Sequence, residues 1–400
     1  MADPLAIMVS WVLLMTTPFF VLLATGLCKL YAARKRGFPE DPTVPRPPVE
    51  ILVPIKGIVP DQEEILLSLV QQAYDSYRVV FILETQEDPA NDQVDGLCSR
   101  YGRARKIISG ISTCCGQKNH NLVEGVLQLK PDTQIIVFCD STNTAPPDWL
   151  RKFTQPIREG RFEAVTSFRT FYPAPQNMAG VSQTVYGTLI LLLAIVMPKP
   201  WGGATAIRRS TFDRLKVTEI WAKTVVDDLV LGNVLEKNGI KVLMDPCATL
   251  NSPLKNRTIR GFLGYLDRQV LFLKFTNPVI WAGMTVFYIN FAVATLLAML
   301  SVVLFPFGMA VDGLTSWMCL VFLVALAALA LTIRKFLAPH ISLSRWCQGV
   351  VAFVFLSAFI VIRSIFRRHI DWHGKTYWCT KEGIVLSIGS NSLNEMKPTL

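Results

Sequence analysis

The chain has 400 residues, 51% of them hydrophobic, and 40 basic against 30 acidic side chains give a formal net charge of +10. That is too long for one small domain and too apolar for an ordinary soluble enzyme. The basic residues cluster beside apolar segments, at Arg34 to Arg36, Arg334 to Lys335 and Arg367 to Arg368, so the charge reads as attraction to anionic headgroups and argues against a nucleic-acid partner.

The N-terminal stretch from Leu5 to Cys28 carries no charge and is followed by Lys29, Arg34, Lys35 and Arg36. A membrane anchor reads this way when its C-terminal flank stays in the cytoplasm. A cleaved signal peptide would place its basic residues before the apolar run. Residues 1–36 are therefore read as anchor and basic flank. Nine cysteines show no C-x-x-C spacing, and only Cys114 and Cys115 adjoin. That predicts no disulfide or metal framework and suits a reducing compartment.

Residues 37–258 read as a cytoplasmic α/β domain with a largely parallel sheet, because short β-branched runs alternate with helical stretches. The predicted strands are Glu50 to Val53, Arg78 to Leu83, Ala104 to Ile108, Ile135 to Phe138 and Glu163 to Phe168. Helices are expected over Gln62 to Gln72 and Leu229 to Asn238. Ligands of open α/β sheets bind outside the carboxyl ends of the strands, which directs attention to the residues there. Lys56 and Gly57 follow the first strand, as a phosphate contact or a plain turn. Glu84 ends the second, able to accept a hydrogen bond from a base or ribose, with Glu87 and Asp88 beyond it as loop charges or contacts. Asp140 ends the fourth, placed either to hold a divalent cation beside a diphosphate or to cap the turn Ser141 to Pro147. Trp201, Gly202 and Gly203 offer a pocket wall and a backbone that passes close to a ligand. Asp227 and Asp228 open a helix, as favourable charges at its N-terminus or with one of them as a general base.

Val185 to Met197 is apolar but, at thirteen residues, too short to cross a hydrocarbon core of about 30 Å; a single crossing would also separate Asp140 from Asp228. It is read as an interfacial or buried helix. Residues 259–274 read as a second interfacial segment, since Gly261 to Lys274 mixes apolar residues with Asp267, Arg268 and Lys274. Residues 275–366 hold three apolar stretches, Phe275 to Val311, Gly313 to Ile333 and Trp346 to Ile362, and 367–400 form a tail. One N-terminal and three C-terminal crossings would leave Arg367, Arg368 and His369 outside, against the positive-inside rule. Either Trp346 to Ile362 is re-entrant or one segment does not cross. His120, His340, His369 and His373 are dispersed, which gives a zinc hydrolase little support.

Taken in order, Pro54-Ile55-Lys56-Gly57, Glu87-Asp88-Pro89-Ala90, Lys118-Asn119-His120-Asn121, Cys139-Asp140-Ser141 and Val226-Asp227-Asp228 resemble the motifs of inverting, nucleotide-sugar-dependent glycosyltransferases of families 2 and 21. The ceramide glucosyltransferase branch is the most similar. The resemblance runs from Ile51 to Arg268, with a tail match at Ile370 to Tyr377. It implies a GT-A-like α/β nucleotide-sugar-binding domain with N- and C-terminal transmembrane helices. Asp228 would be the catalytic base. Lys56, Glu84, Lys118, Asn121, Asp140, Gly203 and Arg268 would bind the nucleotide sugar, with Mg²⁺ or Mn²⁺ on Asp140. Asp227, Trp201 and Tyr265 would lie on the acceptor side. The implied partners are a nucleotide-sugar donor such as UDP-glucose, a ceramide-like lipid acceptor and the bilayer; diacylglycerol, a polyprenyl phosphate, a polysaccharide or an inactive relative are the rival readings. Two positions depart from the pattern. Thr85 stands where relatives carry an aspartate, and the Q-x-x-R-W motif appears as Tyr265-Leu266-Asp267-Arg268-Gln269.

Overall fold

A computed structural model describes residues 4–36, 43–304 and 313–390. The first residues of the expected central domain (37–42), the end of the apolar run from Phe275 (305–311) and the last part of the tail (391–400) lie outside the described residues. In chain order the elements are α1 (Pro4–Arg36), β1 (Val49–Pro54), α2 (Gln62–Val70), β2 (Tyr77–Leu83), α3 (Asn91–Arg100), β3 (Ala104–Ile108), α4 (Gln117–Leu127), β4 (Ile135–Cys139), α5 (Trp149–Arg158), β5 (Ala164–Thr166), β6 (Arg169–Ala174), α6 (Met178–Val196), β7 (Ala204–Arg208), α7 (Arg209–Arg214), α8 (Val217–Trp221), α9 (Asp228–Lys237), β8 (Val242–Met244), β9 (Leu250–Lys255), α10 (Ile259–Thr276), α11 (Pro278–Leu304), α12 (Gly313–Leu337), α13 (Leu343–Phe366), β10 (Ile370–Trp372), β11 (Lys375–Cys379) and β12 (Val385–Ser390). They divide into two compact units. One is built from the described residues within Met1–Lys29, Pro173–Val196 and Asn256–Arg367, the other from those within Leu30–Tyr172, Met197–Lys255 and Arg368–Leu400.

The second unit is organised by a mixed sheet of seven strands in the order β3-β2-β1-β4-β7-β5-β8. Strands β1, β2, β3 and β4 run parallel, as do β5 and β8, while β7 lies antiparallel between β4 and β5. The central strands are continuous apolar runs because helices cover both faces. Their alternation is regular: Val49, Ile51 and Val53 with Val79, Phe81 and Leu83 meet Leu66, Trp149 and Phe153 on one face. Leu52, Val80, Ile82, Ile136 and Phe138 meet Leu122, Trp221 and Leu235 on the other. Each such fully buried side chain is worth about 1.5–3 kcal/mol relative to exposure.

All five predicted strands are present, with Glu163 to Phe168 shortened to β5. Sequence reading missed β7, whose five residues follow directly on Gly202 and Gly203 and look like the continuation of a loop. It also missed that the tail folds. Strands β10, β11 and β12 form an antiparallel sheet, and Val225 N donates to Gly383 O at 3.0 Å while Val385 N donates to Lys223 O at 2.9 Å. Residues 368–390, the described part of the tail, thus belong to the sheet unit.

Five described helices, α1, α6, α11, α12 and α13, are long and apolar enough to cross a bilayer. Within their unit α6 packs closely on α13: a Cβ on Gly349 would meet Val181, and Ser182 Oγ donates to Gly349 O at 3.2 Å. A small residue at such a crossing lets backbones approach. Phe19, Phe287 and Phe291 cluster in the same unit, with ring centroids 4.7 to 6.0 Å apart and the last two stacked. With 19 residues rather than thirteen, α6 is not excluded as a span by length, but connectivity excludes a single crossing: Tyr172 and Met197 belong to one folded sheet unit. The same argument makes the number of bilayer crossings between Lys255 and Arg368 even. In sealed inverted vesicles, a membrane-impermeant maleimide is expected to label Cys114 and an introduced Lys381→Cys from the same face, each tested in a background without other cysteines. Labelling from opposite faces would refute the even count.

Candidate active site

The carboxyl ends of β1, β2 and β4 bring Lys56, Glu84 and Asp140 to one edge of the sheet, the edge at which open α/β sheets take ligands. Lys118, on the first turn of α4, is the hub. Its Nζ lies 2.9 Å from Asp140 Oδ1 and 3.1 Å from Asp227 Oδ2, and it donates to Gly202 O at 3.0 Å. These acceptors take up all three ammonium hydrogens. Asp228 begins α9, its Oδ2 accepting from Gly202 N at 2.9 Å and its Oδ1 from Leu229 N at 2.7 Å. Buried Val225 and Val226 pin the segment from below, and Trp221 Nε1 donates to Asp227 O at 3.0 Å.

The two glycines have different jobs. A Cβ on Gly202 would stand 2.7 Å from Asp227 Oδ2, 2.8 Å from Lys118 Nζ and 3.2 Å from Asp228 Oδ2, so only glycine lets the backbone pass among the charges. Gly203 makes room for the Trp201 ring, which would collide with a Cβ there, and its carbonyl accepts from Asp140 N at 3.2 Å. Trp201 itself packs on Phe168 with centroids 4.8 Å apart, and the Arg169 guanidinium carbon lies 5.1 Å from its centroid.

Burial alone would lower the Lys118 pKa, but the Asp140, Asp227 and Asp228 carboxylates outweigh it and the net shift is upward. Burial raises Asp228 and the neighbouring Asp227 charge raises it further, against opposition from Lys118 and the Gly202 and Leu229 amides; its carboxyl is pushed up to about 6. Two adjacent acids with one raised is the pattern expected of a general base.

A second cluster shares the first turn of α4. Glu84 is 5% exposed, and both its oxygens are paired, Oε2 with Lys56 Nζ at 2.5 Å and Oε1 with Lys375 Nζ at 2.7 Å. Burial pushes the Glu84 carboxyl up, but the hydrogen bonds and charges of Lys375 and Lys56 prevail and hold it below the usual range. Lys375 also donates to Gln117 Oε1 at 2.7 Å. The Gln117 amide nitrogen and Ser109 Oγ donate to Asn121 Oδ1 at 2.8 and 2.9 Å. Asp88 accepts from Gly57 N at 3.0 Å and Ala90 N at 2.9 Å, which fixes the Lys56–Gly57 turn; Glu87 is exposed.

Of the residues singled out from sequence, the sheet unit therefore brings together Lys118, Asp140, Asp227, Asp228, Trp201 and Gly203 in one cluster and Lys56, Glu84 and Asn121 in the other. Tyr265 and Arg268 lie on α10 in the helical unit. The Tyr265 ring meets Tyr186 edge-on at 5.6 Å, and burial lowers the Arg268 pKa against the opposing charges of Tyr265 and Asp267. Sequence reading missed Gly202 as the contact point of the acids, and Gln117 and Lys375 altogether. The signal for Lys375 was its place inside the Ile370 to Tyr377 match.

The mixed sheet, with its charged residues gathered at the carboxyl ends of the parallel strands, is the α/β arrangement expected of a GT-A-like glycosyltransferase. Residues 14–385 match the model of glycosyl transferase family 21. The chain belongs to that family. Among solved structures it is similar to the mannosyltransferase PcManGT from Pyrobaculum calidifontis in complex with GDP-Man and Mn²⁺, at 14% identity over 90% of this chain and 99% of that one, with a TM-score of 0.48. It is also similar to glucosyl-3-phosphoglycerate synthase from Mycobacterium tuberculosis in complex with Mn²⁺ and UDP-glucose, at 13% identity over 57% of this chain and 78% of that one, TM-score 0.35.

Gly202→Ala is expected to lower glycosyl transfer by roughly 10²-fold, the cost of displacing catalytic groups by about 1 Å, while the protein stays folded. Turnover at the wild-type rate would show that the acids do not need this geometry.

Proposed function

We propose that the protein transfers a sugar, glucose in the first instance, from a nucleotide donor such as UDP-glucose to the hydroxyl of a ceramide-like membrane lipid, with inversion at the anomeric carbon. The observation that carries the reading is the convergence of Asp140, Asp227 and Asp228 on Lys118 at the ligand-binding edge of a GT-A-like sheet, in a chain whose described residues include five helices long and apolar enough to span a bilayer.

Asp228 serves as the base. Its raised pKa brings proton affinity nearer to what accepting a hydroxyl proton requires, and its two backbone hydrogen bonds fix its orientation. As the lipid hydroxyl attacks the anomeric carbon, Asp228 takes the proton and the nucleoside diphosphate departs from the opposite face. Asp227 keeps Asp228 basic through charge repulsion, while Lys118 offsets the pair. Lys56, with a half-exposed side chain anchored at Glu84, is placed for the donor's phosphates. Gly203 holds Asp140 from behind, and Trp201 walls the acceptor side.

Among the described residues no group of three His, Cys, Asp or Glu side chains forms a closed metal cage. An all-oxygen site of one carboxylate completed by substrate phosphates is nevertheless how Mg²⁺ and Mn²⁺ are commonly held beside nucleotides, and Asp140 fits it. Such an ion would offset charge on the diphosphate leaving group.

For the membrane, α1, α11 and α12 cross while α6 and α13 return to the face they leave. Basic residues then fall on one side, Arg34 to Arg36 in the last turn of α1, Arg334 and Lys335 at the end of α12, and Arg345 and Arg363 at both ends of α13. The positive-inside rule makes that side cytoplasmic.

Purified protein incubated with radiolabelled UDP-glucose, Mn²⁺ and membrane lipids including ceramide is expected to yield a labelled glycolipid that vanishes with EDTA. Label entering diacylglycerol, a polyprenyl phosphate or polysaccharide instead would correct the acceptor, and no product from any nucleotide sugar would sink the reading. Asp228→Asn should keep donor binding and lose transfer by about 10²–10⁴-fold, whereas Asp140→Asn should weaken both; normal turnover in either variant contradicts its assignment. A base with pKa about 6 works only when ionised, so kcat/KM should fall about tenfold per pH unit as pH drops below that value. A flat profile from pH 7 to 5 would remove Asp228 from the role.

A further inference from the structure

The tail sheet raises a question that the proposed mechanism does not answer, since its residues reach both clusters of the site. At one end, residues 383 and 385 pair with Lys223 and Val225, just before the Asp227–Asp228 pair. At the other, Lys375 enters beside Glu84 and Gln117, and the hydroxyl oxygen of buried Tyr377 accepts from Gln117 N at 3.4 Å. A surface hairpin closed only for stability has no need to deliver an ammonium to a buried carboxylate, and the desolvation of both groups makes that delivery costly.

We infer that Lys375 is a positioning residue of the donor site, through which the C-terminal sheet sets affinity for the nucleoside diphosphate. It acts on Glu84 and Gln117, and the inference rests on the glycosyl-transfer reading given above.

The geometry supports it in three ways. Glu84 sits at the tip of β2, where a carboxylate can receive hydrogen bonds from a nucleoside, but with Lys56 alone one of its buried oxygens would be left without a partner. Lys375 supplies that partner and so fixes the plane of the carboxylate. Secondly, Gln117 is oriented by a chain in which Lys375 donates to its oxygen while its nitrogen donates to Asn121 and Gly110. The Ser112 amide donates to the same Gln117 oxygen at 2.8 Å. Reversing the side-chain amide would break all four bonds, and Lys375 shares with Ser112 the task of fixing which way Gln117 faces. Thirdly, one ammonium bridges Glu84 at the tip of β2 and Gln117 on α4, so the two side chains are fixed relative to each other. Lys56 and Lys375 are also unequal in exposure: the Lys56 side chain is 46% exposed and the Lys375 side chain 18%. The first is available to mobile phosphates and the second is built into the floor.

The test is calorimetric titration of the full-length protein in detergent with UDP and Mn²⁺, GDP being run in parallel, alongside steady-state kinetics and thermal melting. Lys375→Met is expected to weaken nucleoside diphosphate binding and raise donor KM by roughly ten- to hundredfold, the usual weight of hydrogen bonds to charged groups. The acceptor KM and the kcat at saturating donor should hold. Lys375→Arg should recover most of the affinity, and Lys381→Met, on the exposed turn of the same hairpin, should behave as wild type. The Glu84→Gln/Lys375→Met pair should bind no more weakly than the worse single variant, because both act on one contact. Unchanged donor affinity in Lys375→Met overturns the inference, as does a loss spread equally over donor KM, acceptor KM and melting temperature. Should Lys375→Met fail to fold, Lys375→Gln decides by the same donor-specific criterion. If wild-type protein binds neither UDP nor GDP, the glycosyl-transfer reading itself fails, an outcome distinct from a variant that binds as well as wild type.

Discussion

One buried ammonium organises the cluster of acids at the carboxyl end of the sheet. Without Lys118, Asp140, Asp227 and Asp228 would face one another across a few ångströms of partly desolvated space, where like charges repel strongly and at least one acid would be forced to keep its proton. With it, Asp140 and Asp227 lie within 3.1 Å of a shared cation. The constraint propagates outward. Lys118 must project from the first turn of α4, so the β3–α4 connection and the Thr224 carbonyl that receives Gly116 N have to be in register. Asn119, wholly buried, ties the same turn to Thr224 with a second hydrogen bond of 2.9 Å.

How much of this was legible depends on where the information sits. Strands β1, β2 and β4 announce themselves because both faces are buried, so 51–53, 79–83 and 135–139 are continuous apolar runs, with Glu50 and Arg78 as the charged residues at the starts of the first two. The charged residue that ends each run is then conspicuous, and Lys56, Glu84 and Asp140 are read directly. Asp227 and Asp228 follow the buried Val225 and Val226 for the same reason. Strand β7 was invisible because its sequence, Ala204 to Arg208, is short and of mixed character, and what makes it a strand is pairing with β4 and β5 on both sides. That is tertiary context overriding local preference. Gly202 and Gly203 looked equivalent in sequence, and only the positions of the Trp201 ring and the acid oxygens separate them. Lys375 lies 291 residues from Glu84, and no local pattern encodes a contact of that kind. The length of α6 was misjudged because Met178 to Thr184 contains Ser182, Gln183 and Thr184, polar residues that are buried inside the helical unit.

The sheet unit also constrains membrane passage without any reference to hydropathy. A folded sheet is not divided by a bilayer, so each excursion of the chain that begins and ends in it returns to its starting face. Two excursions do so, one through α6 and one through α10 to α13. Hydropathy alone offers three helices for the second excursion, an odd number that conflicts with the return of β10 to the sheet unit. The conflict is removed when one of them does not span, and α13, with basic residues at both ends, is the helix whose flanks ask for the same side of the membrane.

Asp228 illustrates the tension between stability and chemistry. Its carboxyl titrates near 3.8 in an unfolded chain and about 6 in the fold, so the folded state binds the proton more tightly. The resulting stabilisation is fully present below the unfolded value and is lost as pH rises through the folded one. At neutral pH the ionised Asp228 is therefore a cost that the rest of the molecule must bear, and the contributions that offset it, the Gly202 and Leu229 amides and the Lys118 charge, are the same contacts that aim it. Replacing Asp228 by a neutral residue of similar shape relieves that cost, which is why such a variant should be at least as stable as the wild type at pH 7 and yet inactive. Stability and activity moving in opposite directions at one residue distinguishes a base held under electrostatic strain from a carboxylate that merely favours its helix N-terminus, whose removal would lower both.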